Sequence, residues 1–421
     1  MYHTQLHPYF GSGSLSVPTF EGAYLQMKIL ITTDWYAPSI NGVVTSVLNL
    51  QRELSAQGHE VKVLTLSRTP RSYRIGNVTY IGAVSAGKIY PGARLRTAPA
   101  RHLLSALIQW HPDIIHSQCE FCTFLIARKI SNTTGAPLVH TYHTVYEDYT
   151  HYFSPSRKWG KQAIAVFSRI VLSQTCAVIA PTKKVEDLLL CYQVCEPIHI
   201  IPTGIDLSLF HTAPDPQRLR LLRARLGIPE GNFLMVYIGR LAEEKNVDML
   251  LRCLADLGRK DISLLLVGNG PHRSELEAQA RTLGIEKNVI FAGMVPPQDV
   301  PNYYHLGNLF VSASTSETQG LTYIEALASG LPALCQHDPC LTGVIADGIN
   351  GWQFHNITEF CTYLNRFLAD PALQAEMSQQ AVRSANENFS TAAFASHVLE
   401  VYHQVLTAQK DAAPVVARKI S

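Results

Sequence analysis

A short β-branched apolar run, a loop holding a glycine, then a helical period of apolar residues: this unit recurs along the chain and leaves few folds open to it. Its first copy is residues 28–33, a loop over 34–41, Gly42, and a helical pattern over 43–57 that stops at Gly58. Residues 59–66 supply the next strand. Strands joined through a helix lie parallel, because a parallel pair needs a long crossover. Strands over 113–116, 137–142, 176–181 and 199–202 continue the alternation, with helices over 123–134 and 182–190. Residues 207–230, with three prolines and many basic residues, read as a connector holding one short helix over 217–226. The pattern then restarts, with strands over 233–238, 263–267, 289–292, 309–312 and 332–335 and a turn at 347–351. The last stretch is helical to about Gln409, and the Ala, Pro and Lys tail beyond is expected to fray. The expected class is α/β with two βαβ domains. The divisions are a disordered leader (1–26), a first domain (27–205), a connector (206–230), a second domain (231–395), and a final helix and tail (396–421).

Composition narrows the setting. With 421 residues, 47% hydrophobic and 16% charged, the chain can bury a substantial core. It has no apolar run of about 18 residues and no basic segment leading into an apolar one at the start, so a cytoplasmic protein is expected. The nine cysteines are scattered, which predicts reduced thiols. Cys119 and Cys122 form a C-x-x-C without a second pair or matching histidines, and read as packing residues rather than zinc ligands. Net charge is only +2, but residues 1–205 carry 18 Lys and Arg against 11 Asp and Glu (+7), and the rest carry 17 against 22 (−5). Either the first half meets an anionic surface or solvated charges fall unevenly. No nucleic-acid-binding module accompanies the basic half.

Two stretches of the second half carry site chemistry. Residues 316–332 begin polar and become a helix carrying Tyr323, Ile324, Leu327 and Ala328, stopped by Gly330 and Pro332. Glu317 therefore precedes the helix and Glu325 rides on it. The N–H groups of Gly320, Leu321 and Thr322 become unpaired donors that attract an anion. The second stretch follows the strand over 233–238, where Arg240 offers a fork for a diphosphate and Lys245 a point charge. No D-x-D triplet occurs to hold a metal-bound diphosphate.

In the first half, His143 sits at the carboxyl end of a strand, where open α/β sheets bind ligands. Glu147 and Asp148 just beyond fit a helix start as well as a general base. Gly42 either lets the backbone approach a ligand or makes the turn. Residues 88–101 combine Lys88, Arg94, Arg96 and Arg101 with Ile89, Tyr90 and Leu95. Residues 157–172 combine Arg157, Lys158, Lys161 and Arg169 with Trp159, Ile164, Val166, Phe167 and Ile170. Both suit a membrane surface, and the second also suits a core-facing helix with a basic outer face.

The two halves, G-R-x-x-x-E-K from Gly239 to Lys245 and E-x7-E from Glu317 to Glu325 together resemble glycosyltransferase family 4. That resemblance implies the GT-B fold: two Rossmann-like domains facing a central cleft, with a C-terminal helix crossing back to the first. It also implies a nucleotide-sugar donor. Arg240 and Lys245 would take its diphosphate, Glu325 its ribose, and Glu317 with the Gly320–Thr322 amides its sugar and distal phosphate. Gly42 would face the nucleotide sugar from the first domain and His143 would lie near the reacting carbon. Residues 140–152, 41–46 and 316–325 are further similar to the bacterial 1,2-diacylglycerol 3-glucosyltransferases. Those imply UDP-glucose, a diacylglycerol acceptor and a peripheral enzyme on the anionic inner face of the plasma membrane. Tyr146, Arg94, Arg96, Arg157, Lys158, Trp159 and Lys161 would meet acceptor or membrane. The leader before Met27 and the segment Gln336-His337-Asp338-Pro339-Cys340 depart from that pattern. Retention of configuration is implied and no metal is required, though magnesium is compatible. Rival acceptors are phosphatidylinositol or a soluble sugar, and the rival class is a catalytically silent sugar-nucleotide sensor. Oligomeric state is left open.

Overall fold

The computed structural model describes residues 26–39, 41–86, 94–97, 100–143, 157–212, 215–317 and 319–417. Residues 1–25 of the leader therefore lie outside the described residues, as do Tyr146, Glu147 and Asp148. The first domain contains β1 (Lys28–Thr33), α1 (Gly42–Ala56), β2 (Glu60–Leu66), β3 (Tyr73–Ile75), β4 (Val78–Ile81), β5 (Ala83–Ser85) and β6 (Arg94–Arg96). It continues with α2 (Arg101–Trp110), β7 (Ile114–Ser117), α3 (Cys122–Thr134), β8 (Leu138–Thr141), α4 (Arg157–Leu172), β9 (Ala177–Ala180), α5 (Lys183–Cys191) and β10 (Ile198–Ile200). The main sheet runs β10-β9-β8-β7-β1-β2-β4-β3, parallel except for β3 against β4. Every residue of β7, β8 and β9 is buried, because helices cover both faces; β9 is wholly apolar, whereas β7 and β8 end in polar residues, His116-Ser117 and His140-Thr141.

After α6 (Ser208–His211) and α7 (Pro216–Arg225) the second domain begins with β11 (Phe233–Ile238), α8 (Val247–Leu257), β12 (Ile262–Val267), α9 (Arg273–Thr282) and β13 (Val289–Gly293). It continues with α10 (Val300–Leu306), β14 (Leu309–Ser312), α11 (Leu321–Ala328), β15 (Ala333–Gln336), β16 (Gly351–Phe354), α12 (Ile357–Ala369) and α13 (Pro371–Phe389). Its sheet is wholly parallel, ordered β13-β12-β11-β14-β15-β16. One face packs Val236, Leu265 and Phe310 against Ile324, Leu327 and Ala381, the other Met235, Leu264 and Leu309 against Leu250, Phe360 and Phe367. Each such fully buried side chain contributes about 1.5–3 kcal/mol. Among the parallel strands of both sheets the order reverses once, between β1 and β7 and between β11 and β14. The carboxyl ends of strands at such a reversal are where doubly wound sheets bind ligands.

The last helix, α14 (Thr391–Ala417), leaves the second domain and packs on the first, as the GT-B resemblance implies. Phe394, Val398, Leu399 and Tyr402 join the core of Val47, Leu50 and Leu54. This helix runs across the expected boundary at residue 396 and past Gln409, whose side-chain amide donates to the Gly135 carbonyl at 2.7 Å and anchors it there. Within the stretch over 88–101, residues 94–96 form a strand paired with β5 and Arg101 opens α2, while Lys88, Ile89 and Tyr90 lie outside the described residues. Of the C-x-x-C pair, Cys119 is buried 3.6 Å from Thr33 Oγ1 and Cys122 donates to the Arg94 carbonyl at 3.7 Å.

Candidate functional site

In the second domain, β11 ends at Gly239 and Arg240, and a 3-10 turn over Glu243–Lys245 brings Lys245 back over β14. Asn246 fixes that turn from a left-handed conformation, donating to the Ala313 carbonyl at 3.3 Å and Gln336 Oε1 at 3.0 Å. Lys245 Nζ consequently meets Glu317 Oε1 at 2.6 Å, and Ser314 Oγ donates to the same oxygen at 3.0 Å. Both charged side chains are about a fifth exposed, reachable yet poorly screened. The Arg240 side chain is 64% exposed, and among the described residues its one ion pair is with Glu244 at 3.8 Å. An exposed pair that long contributes little, so the guanidinium can reorient toward a ligand.

Gly320 caps α11 with φ +69°, and no side chain caps that helix. An added Cβ there would run into the Tyr323 ring, so the position needs glycine for both dihedral and space. The first turn thus leaves the N–H groups of Leu321 and Thr322 without a side-chain cap, a few residues after Glu317. One turn further, Glu325 Oε2 accepts from the buried Tyr304 hydroxyl at 2.9 Å. Burial pushes the Glu325 carboxyl above its ordinary value, and the Tyr304 bond opposes that rise.

The first-domain crevice is lined by histidines and acids. His143, just past β8, pairs its Nε2 with Gln118 Oε1 at 2.7 Å. A carbonyl oxygen only accepts, so Nε2 carries the proton and Nδ1 keeps a lone pair. Burial lowers His143 to about 4, partly offset by Glu120, so the ring is neutral near pH 7. Glu120 Oε1 itself lies 3.2 Å from His140 Nε2. Asp34, at the end of β1, caps α3 by accepting from Thr123 N at 2.8 Å and Thr123 Oγ1 at 2.6 Å. Gly42 starts α1 behind the Asn41 cap, with no neighbour within 4 Å of an added Cβ and no positive φ. The turn by itself does not demand glycine there.

The basic stretches divide. Arg94 donates to the Ser67 carbonyl at 3.0 Å, which turns it inward, whereas Arg96 is exposed on β6. Arg157 and Lys158 open α4, and their side chains lie outside the described residues. Trp159 (73%), Val166 (45%) and Ile170 (56%) are exposed on α4 at spacings of one helical face, and Lys161 is on the same helix. Phe121 stacks on Phe167 beside them, its own ring half exposed.

Contacts across the domains went unread in the sequence. Lys184 Nζ donates to the carbonyls of Thr315 at 3.2 Å and Glu317 at 3.1 Å, and pairs with Asp338 at 3.3 Å. Its only local signal is a cation in the first turn of a helix, the wrong end for the macrodipole. Gln118 and Tyr304 gave no signal at all. Among the described residues, no group of three or more His, Cys, Asp or Glu side chains could hold a metal ion.

Residues 40–209 match the family model for Glycosyltransferase Family 4, and residues 220–384 the model for glycosyl transferases group 1. An alpha-monoglucosyldiacylglycerol synthase of Streptococcus pneumoniae is 34% identical over 86% of this chain and 83% of its own length. A protein of the same name from Acholeplasma laidlawii is 30% identical over 84% of this chain and 92% of its own. Among solved structures, Anabaena HepE in complex with UDP superposes with a TM-score of 0.68 at 18% identity, covering 90% of this chain and all of that one. The two Rossmann-like sheets, the Lys245–Glu317 pair that follows β11 and β14, and these likenesses agree: the chain belongs to glycosyltransferase family 4 and has the GT-B fold.

Proposed function

We propose that this glycosyltransferase moves glucose from UDP-glucose to diacylglycerol with retention of configuration. The observation that carries the assignment is the Lys245–Glu317 pair set beside the uncapped N-terminus of α11, at a switch point of the sheet. Arg240, Lys245 and the amides of Gly320, Leu321 and Thr322 receive the diphosphate, and Glu325 accepts from the ribose hydroxyls. Glu317 faces the sugar. As the bond from the anomeric carbon to the phosphate oxygen breaks, negative charge grows on the diphosphate. One well-placed donor contributes about 3 kcal/mol to that charge. These groups supply the positive potential, so no metal is required. The acceptor hydroxyl attacks on the face the phosphate leaves, and its proton passes to a phosphate oxygen. His143 orients the sugar near the reacting carbon through a ring that stays neutral, and Gly42 gives the backbone room to approach the nucleotide sugar.

The names of the two relatives above support the diacylglycerol acceptor, and UDP in the Anabaena structure supports the nucleotide. The apolar stripe of Trp159, Val166 and Ile170, with basic residues on the same helix, suits the surface of an anionic leaflet. Among the described residues no helix is long and apolar enough to cross a membrane, and the enzyme proposed is a peripheral one on the cytoplasmic face. Glu317→Ala and Lys245→Ala test the assignment. Each is expected to lower turnover by about 100-fold or more while the protein stays folded. Near-normal transfer by either variant would sink it.

A further inference from the structure

Lys183 and Lys184 stand in the first turn of α5, beside its Thr182 cap. A cation at that end meets the positive pole of the helix dipole and needs anions of its own. Lys183 finds them on its own helix, Glu186 at 2.6 Å and Asp187 at 2.7 Å. Lys184 finds them in the other domain. Its ammonium lies 3.3 Å from Asp338 Oδ2 and donates to the carbonyls of Thr315 at 3.2 Å and Glu317 at 3.1 Å. Those three directions use the whole donor capacity of an ammonium. Asp338 is 4% exposed and its other oxygen caps Cys340 N at 2.8 Å, so Lys184 neutralises a carboxylate shut away from water.

Both carbonyls belong to the loop that carries Glu317, whose carboxylate Lys245 and Ser314 hold from the other side. The loop is stitched to the first domain a second time by Gln319. Its amide accepts from Thr203 N at 3.1 Å and donates to Thr203 O at 2.9 Å. We propose that Lys184 is a positioning residue that ties the placement of Glu317 to the docking of α5 on the second domain. The sugar-facing loop is then in register only when the two domains meet. This rests on the assignment of Glu317 to the sugar made above. The groups assigned to the diphosphate all lie in the second domain and none bonds Lys184 directly, so UDP, which lacks the sugar that Glu317 faces, is expected to bind nearly alike without it.

Three variants test this: Lys184→Met, Lys184→Arg and Lys184→Met with Asp338→Asn. Lys184→Met is expected to lower kcat by about 100-fold and to leave the Kd for UDP within about twofold. Lys184→Arg, which keeps charge and donors, restores most of the turnover. The double variant removes the unpaired buried carboxylate, so it regains thermal stability but not kcat. A double variant whose turnover returns with its stability overturns the proposal, as does a UDP Kd that shifts as far as kcat. Hydrogen exchange over residues 313–317 of the ligand-free protein is read in parallel. It is expected to quicken in Lys184→Met and in the double variant and to stay slow in Lys184→Arg. Unchanged exchange in Lys184→Met refutes the clamp whatever the chemistry, whereas absent transfer by the unmodified protein refutes only the transferase assignment.

Discussion

Replacing Tyr304 by phenylalanine removes a single oxygen from a fully buried ring. That oxygen donates to Glu325 Oε2 at 2.9 Å and lies 3.2 Å from the Thr322 carbonyl. A hydroxyl has one hydrogen, and the carboxylate is the stronger acceptor. A hydrogen bond to a charged group contributes about 1.5–3 kcal/mol. At about 2 kcal/mol, a domain of this size loses roughly 4–8 °C in Tm. The loss depends on pH. Burial already holds the Glu325 carboxyl above its ordinary range, and removing the opposing Tyr304 bond raises it further. An acid raised in the folded state keeps its proton longer than the unfolded chain does. Its cost is therefore absent below the ordinary carboxyl range, where both states are protonated, and grows as pH rises through it. The deficit of Tyr304→Phe is accordingly larger near pH 7 than near pH 4. Because Glu325 is assigned to the ribose, the Kd for UDP rises about 10-fold, while kcat holds because the ribose is bound alike in ground and transition states. Thermal unfolding at both pH values and calorimetric titration with UDP measure these effects. Wild-type UDP affinity in Tyr304→Phe, or a deficit that ignores pH, would refute the reasoning.

Gly320→Ala forces a side chain into left-handed backbone and into the Tyr323 ring, a strain of about 1–3 kcal/mol, and tilts the first turn of α11. UDP titration should show binding weakened by about 10-fold or more, and unaltered affinity would contradict the role given to those amides. Burial lowers His59, His116, His143, His199 and His305, so the unfolded chain takes up protons first as pH falls. Stability is then full above the ordinary value of 6.5 and is lost below it, with the share of His143 complete near 4. Urea midpoints measured across that window should fall with acid, less steeply in His143→Gln, and an identical slope in that variant would contradict the burial of the ring.

The doubly wound sheets were legible because strands buried on both faces leave long apolar runs, as in β11 and residues 264–267 of β12. β3 left no such trace. All three of its residues are exposed, and the hairpin is held by Tyr73 stacking on Tyr80 at 4.7 Å, a contact without local pattern. Lys245, Glu317, Gly320 and Glu325 could be read from spacing, since each sits at a fixed offset from a strand or helix end. Their partners could not. Tyr304 reaches Glu325 from another helix, and Lys184 meets carbonyls and a carboxylate more than 130 positions away. The bond from half-buried Arg94 to the Ser67 carbonyl was likewise unreadable, because it depends on the pairing of β5 with β6.

Transfer to a lipid from a defined nucleotide sugar is the most direct test. The purified protein, incubated with a panel of radiolabelled UDP- and GDP-sugars and vesicles of anionic lipid containing diacylglycerol, should use UDP-glucose. It should yield a monoglucosyl diacylglycerol whose anomeric configuration matches that of the sugar in UDP-glucose. Inverted configuration, label transferred only to water or a soluble sugar, or no label released from any nucleotide sugar would contradict the assignment.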